Sequence, residues 1–444
     1  MIKRLFVNTG SNVLVMFNKI IVTLVMTPIY IRSLGAYDYG LWEMIGSVIG
    51  YMGMLDLGIR PAISRYAAQY NALNDRENLE TVFSSVLIFM FLIGISLLSF
   101  FIIWSTFFSG SISPDGNASE RYSIFLLIIG IQLLIAFPGF VAESYLEGFE
   151  KYYVKNNITI INTLVGAFIL YWNITPENGL LLIAFVSALG LTVKYLFYFY
   201  LLSKPINKAI IFRRKRFSFN KLKEIVSFGF KSFIQGVASR VESSSDALII
   251  GFFLGPAVVP FYSIPSSLAG YLRGFGWTIT HAFMPLFSGM SAQGKEDDIK
   301  FIYLSASRYA VGLLLPLGVG LCFVGGPFLA LWLGDEFRVK GEVIIYCSVL
   351  YVLVPFLVPF TSRYLTAIGK HGFLAKVAPI GAAINILLSI LVVGQYGVVG
   401  VALASVVSVI IIVPLYFLYT CKQLNISVWD YVSDVIIPCL VPVI

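Results

Sequence analysis

Charge is what this chain has least of. Only 12% of its 444 residues are Asp, Glu, Lys or Arg, whereas 58% are hydrophobic and the mean hydropathy is +0.87. Soluble domains carry about 25% charged residues, so a water-soluble fold is excluded. Histidine is almost missing too: His281 and His371 stand alone, with no second histidine at metal-ligand spacing. Structural roles are their plain reading, with proton coupling the alternative for His281. Cys322, Cys347, Cys421 and Cys439 show no paired spacing and fall in apolar runs, so they read as buried free thiols rather than disulfides or metal ligands. TAIGKHG (366–372) has a lysine but not the glycine spacing of a phosphate-binding loop, which excludes ATP as the direct energy source. No long run alternates with period two, which argues against a β-barrel. The longest outer loop, roughly 109 to 121, is too small to hold a catalytic domain, so a lipid-dependent polymerase or glycosyltransferase is excluded and no cofactor is called for.

What is present is apolar sequence of membrane-spanning length. A bilayer core about 30 Å thick takes about 20 apolar residues per helix. Roughly twelve runs qualify: 11–31, 41–64, 82–108, 122–146, 156–172, 179–202, 229–254, 258–287, 303–333, 343–368, 373–394 and 398–420. The first has no small-residue cleavage site after it and is not a signal peptide. The tail from Val432 is too short to cross, which makes it a stub or the start of a longer natural segment. With the N-terminus in the cytoplasm, the inner segments hold nineteen Lys and Arg and the outer loops four: Arg32, Arg121, Arg338 and Lys340. The positive-inside rule therefore places the N-terminus inside. The run RRKR at 213–216, between spans six and seven, reads as a contact for anionic lipid headgroups rather than nucleic acid.

The chain also repeats itself. LGAYDYGLWEMIGSV (34–48) aligns with LGPAVVPFYSIPSSL (254–268) at an offset of 220, as NDRENLE (74–80) does with GKEDDIK (294–300). YLEGFEK (145–151) meets YLTAIGK (364–370) at 219, and YFYLLSK (198–204) meets YFLYTCK (416–422) at 218. Slowly drifting offsets, in order through six spans, indicate an internal duplication. The expected fold is all-α: a six-helix lobe over 1–212, a basic cytoplasmic linker over 213–224, and a second six-helix lobe with its tail over 225–444. Six spans per copy is even, so both copies run the same way, around a central cavity suited to alternating access.

Three segments carry a family resemblance: LGAYDYGLW (34–42), GMLDLGIRPAISRYAAQY (53–70) and DALIIGFFLG (246–255). They resemble the polysaccharide exporter branch of the multidrug/oligosaccharidyl-lipid/polysaccharide superfamily, which includes the O-antigen flippases. The similarity covers essentially the whole chain, although many members have fourteen spans. It implies an inner-membrane flippase that moves a polyprenyl-diphosphate-linked oligosaccharide from the cytoplasmic to the outer leaflet, alongside polysaccharide polymerase and chain-length machinery.

The rare charges within or bordering spans name the candidate site. Eight are basic: Lys19, Arg60, Lys194, Lys231, Arg240, Arg273, Arg308 and Arg363. Five are acidic: Glu43, Asp56, Glu143, Glu242 and Asp246. The balance is positive, as an anionic cargo requires. Arg60, Lys231, Arg308 and Arg363 lie near cytoplasmic helix ends, so snorkelling to headgroups competes with cavity lining. Asp56 and Arg60 are spaced for an ion pair within one helix. Lys19 and Lys194 lie deeper. Arg240 and Arg273 fall near mid-span, where a charge costs at least ~2.5 kcal/mol unless something offsets it. Either the anionic cargo does so, or Glu242 and Asp246 do.

Span seven concentrates these residues in SRVESSSD (239–246). Helical spacing places Lys231, Gln235, Ser239, Glu242 and Asp246 on one polar stripe, with Arg240 roughly opposite. Either the serines bend the helix by bonding back to its backbone, or Arg240 faces a neighbouring span. Span eight, GYLRGFGWTITH (270–281), is rich in glycine between Pro265 and Pro285, which suggests a bent segment. Tyr271 and Trp277 flank Arg273 as candidates for stacking on sugar rings, or else for packing and the interfacial belt. Asp56, Glu143, Glu242 and Asp246 are candidates for ion coupling or ion pairs. They also sustain the rival reading, a cation-coupled multidrug exporter of the same superfamily. A third reading, a non-transporting scaffold for envelope assembly, gives mid-span arginines no purpose.

Overall fold

The computed structural model describes residues 2–107, 119–204, 212–281 and 283–440; within them, the side chains of 2–7, 9, 119, 231, 232, 234–236, 238, 239, 242, 243 and 371 lie outside the description. No strand occurs among the described residues. The helices are α1 (Ile2–Met52), α2 (Ile59–Ala72), α3 (Arg76–Phe107), α4 (Ser119–Gly148), α5 (Tyr152–Asn173), α6 (Gly179–Ser203), α7 (Phe219–Leu254) and α8 (Pro260–His281). There follow α9 (Met284–Ala292), α10 (Glu296–Leu333), α11 (Asp335–Phe356), α12 (Thr361–Ala367), α13 (His371–Leu424), α14 (Val428–Tyr431) and α15 (Ile437–Leu440).

Among the described residues, seven helical stretches are long and apolar enough to cross a bilayer, the longest being Gly10–Asp56 and Gly372–Leu424. Each of those two is interrupted by a glycine, Gly35 (φ 73°) and Gly397 (φ 57°), with the expected spans 11–31 and 373–394 before the interruption and the starts of the expected spans at 41 and 398 after it. The expected spans at 156–172, 229–254 and 258–287 fall on α5, α7 and the α8–α9 pair, which are more polar. Large apolar side chains such as Phe252, Phe323 and Leu331 point outward at 82%, 77% and 91% exposure. Such a surface suits lipid tails.

The backbone carries the same punctuation in both halves. Positive φ occurs at Gly35 and again at Gly255, at Asn74 and again at Gly294, and at Glu150 and again at Gly369. These are the offsets of 220, 220 and 219 at which the sequence repeats.

The chain divides into two compact units. The first comprises Met1–Tyr39 and Val48–Gly236; the second comprises Gly40–Ser47 and Val237–Ile444. In the first, α3 and α4 approach closely because Gly94 lies against the Leu134 backbone and Gly130 against Phe101. Small residues of this kind allow helices to gain van der Waals contact in lipid, where no hydrophobic drive joins them. Tyr145, wholly buried, donates its hydroxyl to the Leu79 carbonyl (2.7 Å). In the second unit, Phe287, Tyr303, Phe360, Tyr364 and Tyr431 form an aromatic core. The tail helps to build that core, with Tyr431, Val435 and Cys439 buried in it and the Tyr431 hydroxyl bonded to the Leu357 carbonyl (2.9 Å). The tail, read from length alone as a stub or the start of a longer segment, is thus packed into the core at Val435 and Cys439.

Span two is broken where a continuous helix was expected. α1 ends at Met52, a 3-10 turn covers Gly53–Asp56, and Leu57 and Gly58 take left-handed conformations (φ 53° and 69°) before α2 begins. Asp56 Oδ1 holds the turn by accepting the Gly58 N–H (2.8 Å). Gly58 is required twice over, for its φ and because a Cβ there would lie 2.4 Å from the Gly229 carbonyl oxygen. The break puts Arg60 in the first turn of α2.

The basic linker belongs to the first unit and is fastened to α3. Glu80, whose side chain is 2% exposed, faces Arg76 (3.0 Å), Arg216 (3.4 Å) and Arg213 (3.5 Å). The hydroxyls of Ser84 and Ser85 accept the N–H groups of Arg213 and Ser218. Two of the four RRKR charges thus serve an internal carboxylate, while Arg214 and Lys215 remain exposed, as a headgroup contact requires. Charge-assisted bonds contribute about 1.5–3 kcal/mol, so Glu80→Gln is expected to speed tryptic cleavage at 213–216 roughly tenfold. An unchanged cleavage rate would show that Glu80 does not hold the linker.

Candidate functional site

The first unit gathers charged side chains from four helices near the end of α4 that carries Gly148, cytoplasmic under the positive-inside reading. Glu143 on α4 is the hub. One of its oxygens lies 3.6 Å from Arg60 of α2 and accepts the Tyr195 hydroxyl of α6 at 3.4 Å. The other lies 3.7 Å from Lys155 of α5, whose ammonium also makes a tight pair with Glu147 (2.6 Å). Lys194 of α6 lies over the Tyr195 ring (4.4 Å) and near Tyr198 (5.9 Å), and Arg60 lies over Phe140 (4.2 Å). Cation–π contacts partly offset the cost of holding these charges away from water. Arg60 and Lys155 thus pair with Glu143 and Glu147, Lys194 lies beside them over the tyrosine rings, and Asp56 is near enough to Arg60 to act on it electrostatically.

Packing fixes the cluster. Tyr195 rests on Gly139, where a Cβ would lie 2.3 Å from the ring, and Gly139 is one turn before Glu143. Tyr198, wholly buried, donates to the Lys155 carbonyl (3.1 Å) and contacts the Thr159 hydroxyl (3.3 Å). The ion pair expected between Asp56 and Arg60 is replaced by Arg60–Glu143, because the break at 53–58 leaves Asp56 outside α2.

The second unit contains a cavity of about 250 Å³. Arg273, Asp246, Glu43, six serines, Tyr262 and Tyr351 are among its lining residues. Arg273 lies over the Tyr351 ring at 5.4 Å. Asp246 is buried and accepts hydrogen bonds from the hydroxyls of Tyr262 and Ser405 (the latter 3.0 Å), and Ser405 accepts from Asn385 Nδ2 (2.8 Å). The Asn385 carbonyl oxygen and the Ser389 hydroxyl are buried with no hydrogen-bond partner among the described residues. Pockets for drug-sized ligands measure about 300–1,000 Å³, so this cavity has room only for a smaller group.

The other expected site residues are dispersed. Lys19, Arg240 and Arg308 are exposed on α1, α7 and α10. Arg363 of α12 is half-buried, 6.0 Å from the ring of Trp277, which is itself exposed; Tyr271 is half-buried. The ring beneath Arg273 is that of Tyr351, while Tyr271 and Trp277, the candidates for stacking on sugar, lie half-buried and exposed on the same helix as Arg273. The side chains of Lys231 and Glu242 lie outside the described residues. In SRVESSSD, Ser244, Ser245 and Asp246 are buried, and Ser245 bonds back to the Val241 carbonyl. Sequence reasoning did not pick out Lys155, Glu147, Tyr195, Tyr262, Tyr351, Asn385 or Ser405.

Comparison with known proteins supplies the context. The sequence profile of a family described as "Polysaccharide biosynthesis protein" matches residues 5–291. The chain is 24% identical over 425 residues to the uncharacterized membrane protein EpsK of Bacillus subtilis, covering 92% of this chain and 82% of EpsK. It is 21% identical to the probable low-salt glycan biosynthesis flippase Agl15 of Haloferax volcanii, covering 85% and 75%. Two solved structures share its fold, each with a TM-score of 0.74. They are the lipid II flippase MurJ in an inward closed conformation (18% identity; 99% of this chain, 91% of that one) and an inward-facing multidrug resistance MATE family transporter of the MOP superfamily (15%; 91% and 94%).

Proposed function

Because the chain belongs to the polysaccharide biosynthesis protein family, we propose that it is a flippase for a polyprenyl-diphosphate-linked oligosaccharide, the repeat unit of an O-antigen, capsule or similar polysaccharide. The cargo moves from the cytoplasmic to the outer leaflet as two six-span lobes alternate in access. The observation that carries this reading is the gathering of three cations, Arg60, Lys155 and Lys194, around one loosely held carboxylate, Glu143, within the apolar helices of the first unit. Fold alone does not separate flippase from drug exporter, since MurJ and MATE structures resemble the chain equally well. The partly buried cations favour the flippase, because they repel cationic drugs and attract phosphate.

The three cations receive the diphosphate from the cytoplasmic side, with Arg60 able to engage two oxygens at once. Arg273, among the serine hydroxyls of the second unit's cavity, receives a phosphate or acidic sugar. The lipid tail trails in the bilayer. Asp246, with Tyr262, Ser405 and Asn385, forms an oxygen-rich site suited to the coupling ion, a proton or sodium.

Purified protein in nanodiscs provides the test. A polyprenyl-diphosphate oligosaccharide is expected to raise the melting temperature in a salt-sensitive way, and an organic cation such as tetraphenylphosphonium is not. The reverse pattern would favour the exporter reading.

A further inference from the structure

Glu143 stands at the centre of a cationic site although its charge opposes the anionic cargo. We propose that it is an internal counter-ion: it occupies the cations while the site is unloaded, and the phosphates of the cargo displace it. This single carboxylate then sets how tightly the site holds its cargo. The inference rests on the flippase reading.

The geometry is that of an exchangeable partner. Both oxygens of Glu143 are shared among donors on three helices, and every contact is long: 3.6 Å to Arg60, 3.7 Å to Lys155 and 3.4 Å from the Tyr195 hydroxyl. Charge-assisted bonds at full strength run about 2.7–2.9 Å, as Lys155 shows with Glu147 at 2.6 Å. Glu147 serves as the permanent partner of Lys155, and Glu143 completes the charge balance loosely. The Arg60 side chain is 37% exposed, so an incoming anion reaches it without unpacking the helices. Tyr195, held against Gly139, keeps the displaced carboxylate within hydrogen-bond reach.

The consequence is energetic. Without Glu143 the cluster would hold three cations against one carboxylate, and any small anion would bind it. With Glu143 present, an anion must supply more than one negative charge, or better geometry, to replace it. A diphosphate does, whereas chloride does not. The same competition keeps bound cargo from being trapped, because its departure returns Arg60 and Lys155 to a waiting partner.

Equilibrium binding of farnesyl diphosphate to the full chain in nanodiscs tests the proposal. Glu143→Gln keeps the shape and the bond from Tyr195 but removes the competing charge. It is expected to bind the probe roughly tenfold tighter, within the usual range of coupling between sites. Glu143→Asp, which keeps the charge but withdraws it from Arg60, should fall in between and carries the test if the glutamine variant does not fold. Glu80→Gln makes the same change in net charge at the linker and should stay within about twofold of the native chain. Without the probe, Glu143→Gln should melt at a lower temperature, and it should gain more from the probe than the native chain does. A purely structural role would lower stability without tightening binding, and that result overturns the proposal while native binding stands. Failure of the native chain to bind farnesyl diphosphate removes the diphosphate reading itself, and the proposal with it.

Discussion

Arg60→Ala is expected to slow leaflet transfer of a polyprenyl-diphosphate oligosaccharide by about two orders of magnitude in reconstituted liposomes. Truncating one member of a buried, hydrogen-bonded charge pair costs about 2–5 kcal/mol, and without Arg60 the Glu143 carboxylate is left to Lys155 and Tyr195 alone. Arg60 contributes to transfer in two ways. It pairs with Glu143 at 3.6 Å, and its side chain, 37% exposed, is more accessible than those of Lys155, Glu143 and Glu147. Arg60→Lys keeps the charge but loses the planar fork, so it should recover only part of the rate. Full activity in Arg60→Ala protein that inserts and folds would remove the cluster from the mechanism.

Asp246→Asn should act on coupling rather than on cargo. Its carboxylate is buried with hydroxyl donors from Tyr262 and Ser405 and with Asn385 one bond further away. The amide keeps the shape but cannot bind a proton or balance a sodium ion. An imposed proton or sodium gradient is expected to stimulate transfer by the native chain several-fold, in keeping with couplings of about 1–3 kcal/mol. In Asp246→Asn the stimulation should fall to none, while the affinity for farnesyl diphosphate stays within about threefold. A variant that still responds to the gradient would place the coupling site elsewhere.

Much of this was legible in the sequence because charge is rare in it. Composition and long apolar runs settle an all-helical membrane protein. The repeat offsets reappear as matching positive-φ positions, Gly35 with Gly255 and Glu150 with Gly369. Arg60, Glu143 and Lys194 stand out as charges among apolar neighbours, and three helices bring them together. Lys155 was hidden for a physical reason: it sits at the start of α5, where the positive-inside rule already accounts for a lysine. Tyr195 was hidden because it is one of 25 tyrosines, and only its contact with Gly139 distinguishes it.

The local errors have similar causes. Apolar composition does not show that GMLDLG breaks a helix, since glycine is common in membrane helices. The break depends on left-handed Leu57 and Gly58 and on the Asp56 cap. That one feature undoes the expected Asp56–Arg60 pair and turns Arg60 toward Glu143. Tyr351, whose ring lies under Arg273, comes from another helix, so nothing in the sequence pointed to it.

The most direct test compares two lipids that carry the same oligosaccharide on the same polyprenyl chain, one joined through a diphosphate and the other through a neutral ether. Both are reconstituted with the native chain, and transfer between leaflets is followed by quenching of a fluorescent label on the sugar. The diphosphate form is expected to cross at least tenfold faster, because only it can exchange with Glu143 at Arg60 and Lys155. Equal rates for the two lipids would contradict the claim that this cluster recognises phosphate.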